Sequence, residues 1–345
     1  MTDERDATAD GPAGPDEPDG TDRHGVTPAD GGDGTRADGG TTTATATAAE
    51  PGRLDGVDGY RVALYLVLLG LVSFYLAPIE SGLVTSFKTG TAVAETAPFA
   101  PPGVDGFTLE KWRLAIDALI VGMGNSVLYA VPATVLSAFL GSTAAYGLTI
   151  SDWADRYKVP VLALFVAGIF IPYQAVLVPL TQFWSNWVSV ESLLSFVWAL
   201  GISNDYAGIV ELIVTHVAYG IPICTILFRS YYKNISEEMV ESARLDGASL
   251  RRVYRRIVLP LSTPMFAVVL IYQFTQIWND LLFTLVLVAT ESSPAAPVVL
   301  ILAGLGTSLE GQDFALRMAG AFFAALPTLA VYVAFGEEFA EGVAT

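Results

Sequence analysis

Long uncharged runs separated by short charged segments make up the chain after residue 58. From Val62 to Phe87 the only charge is Glu80, and from Ala118 to Ser151 there is none. Val159 to Val190 is also uncharged, with its convincingly apolar part ending near Trp184. Ala207 to Phe228 has Glu211 and His216 as its polar members, Ile257 to Thr290 has Asp280 as its lone charge, and Met318 to Gly336 has none. A helix needs about 20 mostly apolar residues to cross the hydrocarbon core. The pattern therefore predicts six spans, near residues 62–87, 122–150, 159–184, 207–228, 264–289 and 315–336. A seventh apolar piece, "SLLSFVWALGI" from Ser192 to Ile202, has about half the required length and reads as an interfacial or partly buried helix in an outer loop.

Composition agrees with a membrane protein. Of 345 residues 52% are hydrophobic and 15% charged, and the mean hydropathy is +0.50. Of the net charge of −17, the segment Met1 to Asp58 supplies −10, from 14 acidic residues against four arginines. That segment is rich in Gly, Asp, Thr, Ala and Pro and poor in large apolar side chains. It cannot bury enough surface to offset the entropy of ordering, and is expected to be a disordered acidic tail. No apolar h-region lies near Met1, so a cleavable signal peptide is not expected and the N-terminus is placed in the cytoplasm. With six spans, the inner loops 151–158 and 229–256 hold nine Lys or Arg residues, in keeping with the positive-inside tendency. Arginine outnumbers lysine 14 to four, which together with the acidic excess suggests a halophile. Prolines at 172, 179, 222 and 327 fall within or beside spans, and "SAFLGSTAAYG" offers small residues for close helix contact.

The basic stretch "ESARLDGASLRRVYRRIVLPL", from Glu241 to Leu261, interrupts this pattern. Asn234 followed by Glu237 has the spacing of a capping box and predicts a short helix over Ser236 to Leu245, ended by Asp246-Gly247. Ser249 is in place to cap a second helix carrying Arg251, Arg252, Arg255 and Arg256 towards Pro260. On the first helix Ser236, Val240, Ala243 and Gly247 share a face, a stripe of small side chains that a partner backbone could approach closely. Glu237 and Glu241 share a neighbouring face and are available to basic groups on a partner.

In this stretch Glu241-Ser242-Ala243, then Gly247, then Ile257, Leu259 and Pro260 stand at fixed spacing, with "DGAS" from Asp246 to Ser249 between them. The arrangement resembles the EAA loop of binding-protein-dependent ABC importer permeases, in which Glu-Ala-Ala, three residues, Gly, nine residues and Ile-x-Leu-Pro recur. The departure inside the motif is Ser242 for alanine. "TSFKTG", "GNSVLYA", "AAYGL", "IPYQAVLVPL" and "WND" extend the resemblance from about Tyr60 to Phe339, towards the carbohydrate-uptake branch of the maltose and glycerol-phosphate permease type. The family usually has proline where Ser236 stands, and usually ends in a basic, glycine-rich tail, whereas this chain ends "GEEFAEGVAT".

The resemblance implies an all-α membrane protein, a six-helix bundle of the type I ABC importer permease kind over residues 59–345, with the tail 1–58 outside it and a coupling loop at 229–260. It implies a multi-pass subunit of the cell membrane that is not itself an enzyme. It implies as partners ATP-binding cassette ATPase subunits, a second permease subunit and an extracellular solute-binding protein, with ATP and magnesium held by the ATPase. It implies contacts to the ATPase from Glu237, Val240, Glu241, Ser242, Ala243, Asp246, Gly247 and Ala248. The residues themselves agree that the motor lies elsewhere: none of the four lysines follows a glycine as a P-loop requires. One cysteine and two histidines leave little for a metal cluster or a nucleophile with its base. Sugar sites favour aromatic faces and planar hydrogen-bonding groups, so Gln174, Gln273, Gln276, Trp278, Asn279 and Asp280 are candidates for the translocation path. Two other readings stay open: a permease for a non-sugar solute, and a proton-coupled carrier using Glu211, His216 and Asp280.

Overall fold

The computed structural model describes residues 59–339, apart from positions 289, 309, 310 and 338. The segment expected to be a disordered tail, and the end of the acidic C-terminus, lie outside the described residues.

Helix α1, Gly59–Ser86, is apolar all round and buries only Gly82 and Ser86. Its leucines, valines and aromatics face outward along its length, which is stable only where the surroundings are themselves apolar. Two short helices follow, α2 (Gly90–Glu95) and α3 (Gly103–Gly106). They are fixed by Phe87, which stacks on Phe107 and Trp112 with ring centroids 5.8 and 5.6 Å away. The buried Lys88 satisfies its ammonium by donating to the carbonyls of Ala97 (2.7 Å) and Pro98 (3.3 Å).

Helix α4, Glu110–Thr149, is the centre of the bundle. It starts well before the expected residue 122, because its charged first turns remain helical outside the apolar layer, where Lys111 pairs with Asp313 at 2.6 Å. The third expected span is not one straight helix. It divides into α5 (Asp155–Ile169) and α6 (Tyr173–Gln182), the latter running into a π turn at Phe183–Trp187. The two arms are bent by 98°. Pro172 causes the break, since it has no N–H to donate and disfavours helical geometry at Ile171. The half-length apolar piece forms α7 (Val190–Leu193) and α8 (Ser195–Trp198), neither long enough to span.

After a 3-10 turn at Asn204–Tyr206 comes α9, Ala207–Tyr232. The loop helices are α10 (Glu237–Leu245), α11 (Leu250–Val253), a π turn at Tyr254–Val258 and α12 (Leu259–Leu261). The fifth expected span, 264–289, is also interrupted: α13 (Thr263–Trp278) stops and α14 (Leu282–Leu287) begins after it. Asn279 donates its amide back to the Thr275 carbonyl (2.8 Å), and the Asp280 carboxylate accepts the Phe283 N–H (3.0 Å). Both side chains compete with the helical ladder and end it. Helix α15 (Val298–Gly304), a two-stranded hairpin of β1 (Thr307–Ser308) and β2 (Gly311–Gln312), and α16 (Phe314–Ala334) complete the chain. Among the described residues four helices are long and apolar enough to cross a membrane; α5 with Tyr173–Leu193, and Leu250–Leu261 with α13, are bent pairs, and counting each pair as one span gives up to six.

Helices α4 and α9 run in the same direction, with Tyr129 against His216 and the Ser142 hydroxyl 2.6 Å from the Tyr232 hydroxyl. Ser137, Ala138, Gly141, Ser142 and Ala145 are all buried along this seam, as the small-residue stretch predicts. A Cβ on Gly141 would fall inside Cys224, and one on Gly122 would press on the backbone of Val298. Hydrogen bonds supplement this packing, which matters because lipid supplies no hydrophobic drive between helices. Asn125 donates to the carbonyls of Pro294 (2.9 Å) and Ala296 (3.0 Å), and Ser126 accepts the Val298 N–H (2.9 Å).

Gly141→Val should therefore lower the thermal stability of the purified, detergent-solubilised protein by about 1–3 kcal/mol through overpacking. Gly124→Val, where no atom lies within 4 Å of an added Cβ, should leave the melting midpoint close to wild type.

Candidate functional site

Helix α10 is terminated at both ends by side-chain and backbone chemistry of its own. The cap is Ser236, not Asn234: its Oγ accepts the Met239 N–H (3.3 Å) and donates to Glu238 Oε2 (2.6 Å). That hydrogen bond, with the backbone N–H of Glu238 itself, holds the Glu238 carboxyl below the usual carboxylate range. At the other end Gly247 adopts φ of 78°. The Ala248 N–H bonds to the Ala243 carbonyl (3.0 Å) and the Gly247 N–H to the Arg244 carbonyl (2.9 Å), the two bonds of a Schellman motif. Ser249 takes the cap position of α11, but its hydroxyl makes no cap bond; the turn is closed by its backbone carbonyl.

The stripe of small residues divides, with Ser236 and Gly247 at its ends exposed. Val240 is buried and Ala243 and Ala248 are half-buried against the chain's own cluster of Tyr146, Tyr232, Val253 and Tyr254. Sequence periodicity identifies the stripe but not what it packs on, and here the bundle itself takes its middle, Val240 and Ala243. Arg244 completes the anchorage, donating to Asp152 Oδ1 and to the Ile150 carbonyl, both at 2.6 Å. Exposed instead are Glu237, Glu238, Glu241, Ser242, Leu245 and Asp246. Leu245 is 89% exposed, an apolar side chain held out on a rigid helix. It was not singled out from the sequence, although it lies opposite Val240 once the helical period is applied. Glu237 and Glu241 also border a cavity of about 400 Å³ between α10 and the ends of α4, α5 and α9, with Lys158, Arg229 and Lys233 on its other walls.

The translocation candidates separate into two groups. Trp278 is buried and donates its indole N–H to the Ala324 carbonyl (3.0 Å), tying α13 to α16; Gln273 is buried beside Gly220. Both are packing residues. Gln174, Gln276 and Asn279 are exposed. Asp280 is buried, with Oδ2 3.4 Å from His216 Nε2, while His216 Nδ1 lies 2.8 Å from the Leu212 carbonyl. Asp280 has a structural task at the break in the fifth span, accepting the Phe283 N–H, with His216 of α9 beside it.

Next to it is an aromatic cluster that the sequence reading missed. Tyr173, Tyr219 and Phe283 stand with ring centroids 4.9 to 5.1 Å apart. Tyr173 opens α6 and Phe283 lies in the first turn of α14, so the ends of two interrupted helices meet on α9. The signal was present in "IPYQ" and "WND", since interrupted apolar segments mark binding positions in transporters.

Residues 156–336 match the family model described as binding-protein-dependent transport system inner membrane component. This chain belongs to that family. It is 48% identical over 294 residues to the xylose/arabinose import permease protein of Haloferax volcanii, covering 85% of this chain and 94% of that one. A probable ABC transporter permease protein of Pyrococcus horikoshii is 41% identical, covering 82% and 94%. The glucose import system permease protein of Saccharolobus solfataricus is 27% identical, covering 82% and 93%. Among solved structures, a bacterial ABC transporter involved in alginate import aligns with TM-score 0.56 and 20% identity over 84% of this chain and all of that one. A second alginate transporter structure, with its pentasaccharide-bound periplasmic protein, gives 0.60 and 17%, covering 80% and 93%. These structures share the fold of the permease described here.

Within the loop after α9, Gly247 can be tested apart from packing, because no atom lies within 4 Å of a Cβ placed there. Gly247→Val should cost the α10 terminus about 1 kcal/mol of backbone strain and raise tryptic cleavage after Arg244 about fivefold in the assembled protein. Gly247→Asn, which tolerates left-handed geometry, should stay within about twofold of wild type.

Proposed function

We propose that this permease imports a sugar of the pentose class, with its translocation path beside the Tyr173–Tyr219–Phe283 cluster and its ATPase contact on the exposed face of α10. The observation that carries the ATPase assignment is a helix capped at both ends, stapled to the bundle through Val240 and Arg244, and presenting Glu238, Glu241, Ser242 and Leu245 outward. Such a helix transmits displacement because it cannot rotate or fray independently of α4 and α9. The relation to the xylose/arabinose permease over 94% of its length supports the substrate class. Aromatic faces with the exposed Gln174 next to Tyr173 in the chain suit a neutral, hydroxyl-rich solute.

On this reading α10 and the N-terminus are cytoplasmic, the ATPase subunits hold ATP and magnesium, a second permease subunit closes the other side of the path, and an external binding protein delivers the sugar. Residues 59–345 act as the membrane domain, with 229–260 as its coupling loop and 1–58 outside it. Val240, Ala243 and Ala248 act from beneath α10 by holding it, whereas Glu237, Glu241, Ser242 and Asp246 border the docking surface. Family membership disfavours a proton-coupled carrier, and Asp280 already has a structural task at the helix break.

Deleting the gene should abolish uptake of radiolabelled xylose or arabinose, and the wild-type chain should restore it. Glu241→Lys or Leu245→Asp should reach the membrane in normal amount yet restore less than about a tenth of uptake, because losing a buried leucine contact costs about 2 kcal/mol. Ser242→Ala should restore it fully. Undiminished pentose uptake in the deletion strain would overturn the substrate assignment, and normal uptake with both damaging variants would overturn the docking assignment.

A further inference from the structure

Four arginines are not accounted for by docking or by translocation. Arg251, Arg252, Arg255 and Arg256 are exposed and stand in two pairs, each pair four residues apart, around a shallow groove of about 450 Å³. Like charges at that spacing repel one another. None of the four forms an ion pair among the described residues, although α10 brings several carboxylates to the same hairpin.

The opposite face of the segment is fixed. Val253, Tyr254 and Val258 are buried. The Tyr254 hydroxyl lies 2.7 Å from Ser142 Oγ, and the Leu250 carbonyl accepts from the Tyr146 hydroxyl at 2.9 Å. Tyr254 and Val258, at the two ends of a π turn, both lie on the buried face, while both arginine pairs stay outside. The guanidinium groups thus stand on the side away from the bundle.

Direction supplies the second observation. The segment Leu250–Leu261 meets α13 at 76°. With α13 crossing the bilayer, this segment runs close to the plane of the membrane surface, and Leu250 and Leu261 at its two ends are each nearly half exposed. An in-plane helix with apolar ends and an arginine-lined side has the character of an interfacial helix. A guanidinium can bind a phosphate through two parallel hydrogen bonds, a contact that salt screens less than long-range attraction.

We propose that Arg251, Arg252, Arg255 and Arg256 bind the phosphate groups of anionic phospholipids, holding the Leu250–Leu261 segment on the membrane surface at the root of the coupling loop. The assignment to the cytoplasmic leaflet rests on the orientation given under the proposed function; the phosphate site itself does not.

The test uses the whole importer complex in vesicles of phosphatidylcholine, with or without phosphatidylglycerol. Phenylglyoxal modification of Arg251, Arg252, Arg255 and Arg256, read by mass spectrometry on the wild-type protein, should slow about tenfold when phosphatidylglycerol is present. Inorganic phosphate added to phosphatidylcholine vesicles should not reproduce the protection. After re-extraction, R251Q/R252Q/R255Q/R256Q should retain about tenfold less phosphatidylglycerol than wild type while keeping its ATPase subunits, and the corresponding all-lysine variant should retain more than the glutamine variant. Equal modification rates in the two vesicles would overturn the proposal. So would a glutamine variant that keeps its phosphatidylglycerol and sheds the ATPase, because the patch would then be a protein interface. Pentose uptake by the same vesicles reports separately on the proposed function.

Discussion

Hydroxyl hydrogen bonds join the membrane bundle to its loop, and one of them is shared between two elements. Ser142 lies on α4 between the phenols of Tyr232 (2.6 Å) and Tyr254 (2.7 Å), so one side chain of the central helix holds both the end of α9 and the π turn that follows α11. Each such bond contributes only about 1 kcal/mol, but leaving any of the three hydroxyls buried and unpaired would cost more. The contact exists only because Gly141 and Ala145 let α9 approach, and Gly141 leaves no room for a Cβ against Cys224. Helix α10 inherits its position from this junction. Val240 packs into the same cluster, and Arg244 reaches the end of α4 through the Ile150 carbonyl.

From that junction the bundle divides its labour by where its helices break. The uninterrupted helices α4, α9 and α16 carry close packing and buried hydrogen bonds. The broken pairs, α5 with α6 and α13 with α14, leave backbone ends and aromatic side chains beside α9, where Tyr173, Tyr219 and Phe283 meet. Breaks of this kind are tolerated in a bilayer only where side chains, neighbouring helices or a wet cavity satisfy the freed groups. Asp280 does so for the Phe283 N–H, and His216 of α9 stands beside it. The loop and the aromatic cluster are thus connected through α9, which bears Tyr219 partway along and Tyr232 at its end.

Much of this was legible from apolar run length. The positions of α1, α9 and α16 follow from it closely, and Gly247 declares its turn because a left-handed backbone favours glycine. Direction was not legible: run length cannot distinguish a straight span from an elbow, so 159–184 and 264–289 read as continuous although Pro172 and Asn279-Asp280 divide them. Facing was not legible either. A stripe of small residues signals close approach without naming the partner, and Val240 and Ala243 turned out to face their own bundle. Trp278 illustrates the same limit, since an indole suits a sugar face and a helix seam equally, and its hydrogen bond to Ala324 decides for the seam.

The central claim is that α10 meets the ATPase through the face bearing Leu245 and not through the stripe bearing Val240. In a Cys224→Ser background, Leu245→Cys and Val240→Cys can be compared by oxidative and bifunctional cross-linking within the intact complex. The account predicts a cross-linked product between the permease and its ATPase subunit from position 245 and none from position 240. Cross-linking from position 240 alone, or equally from both, would contradict it.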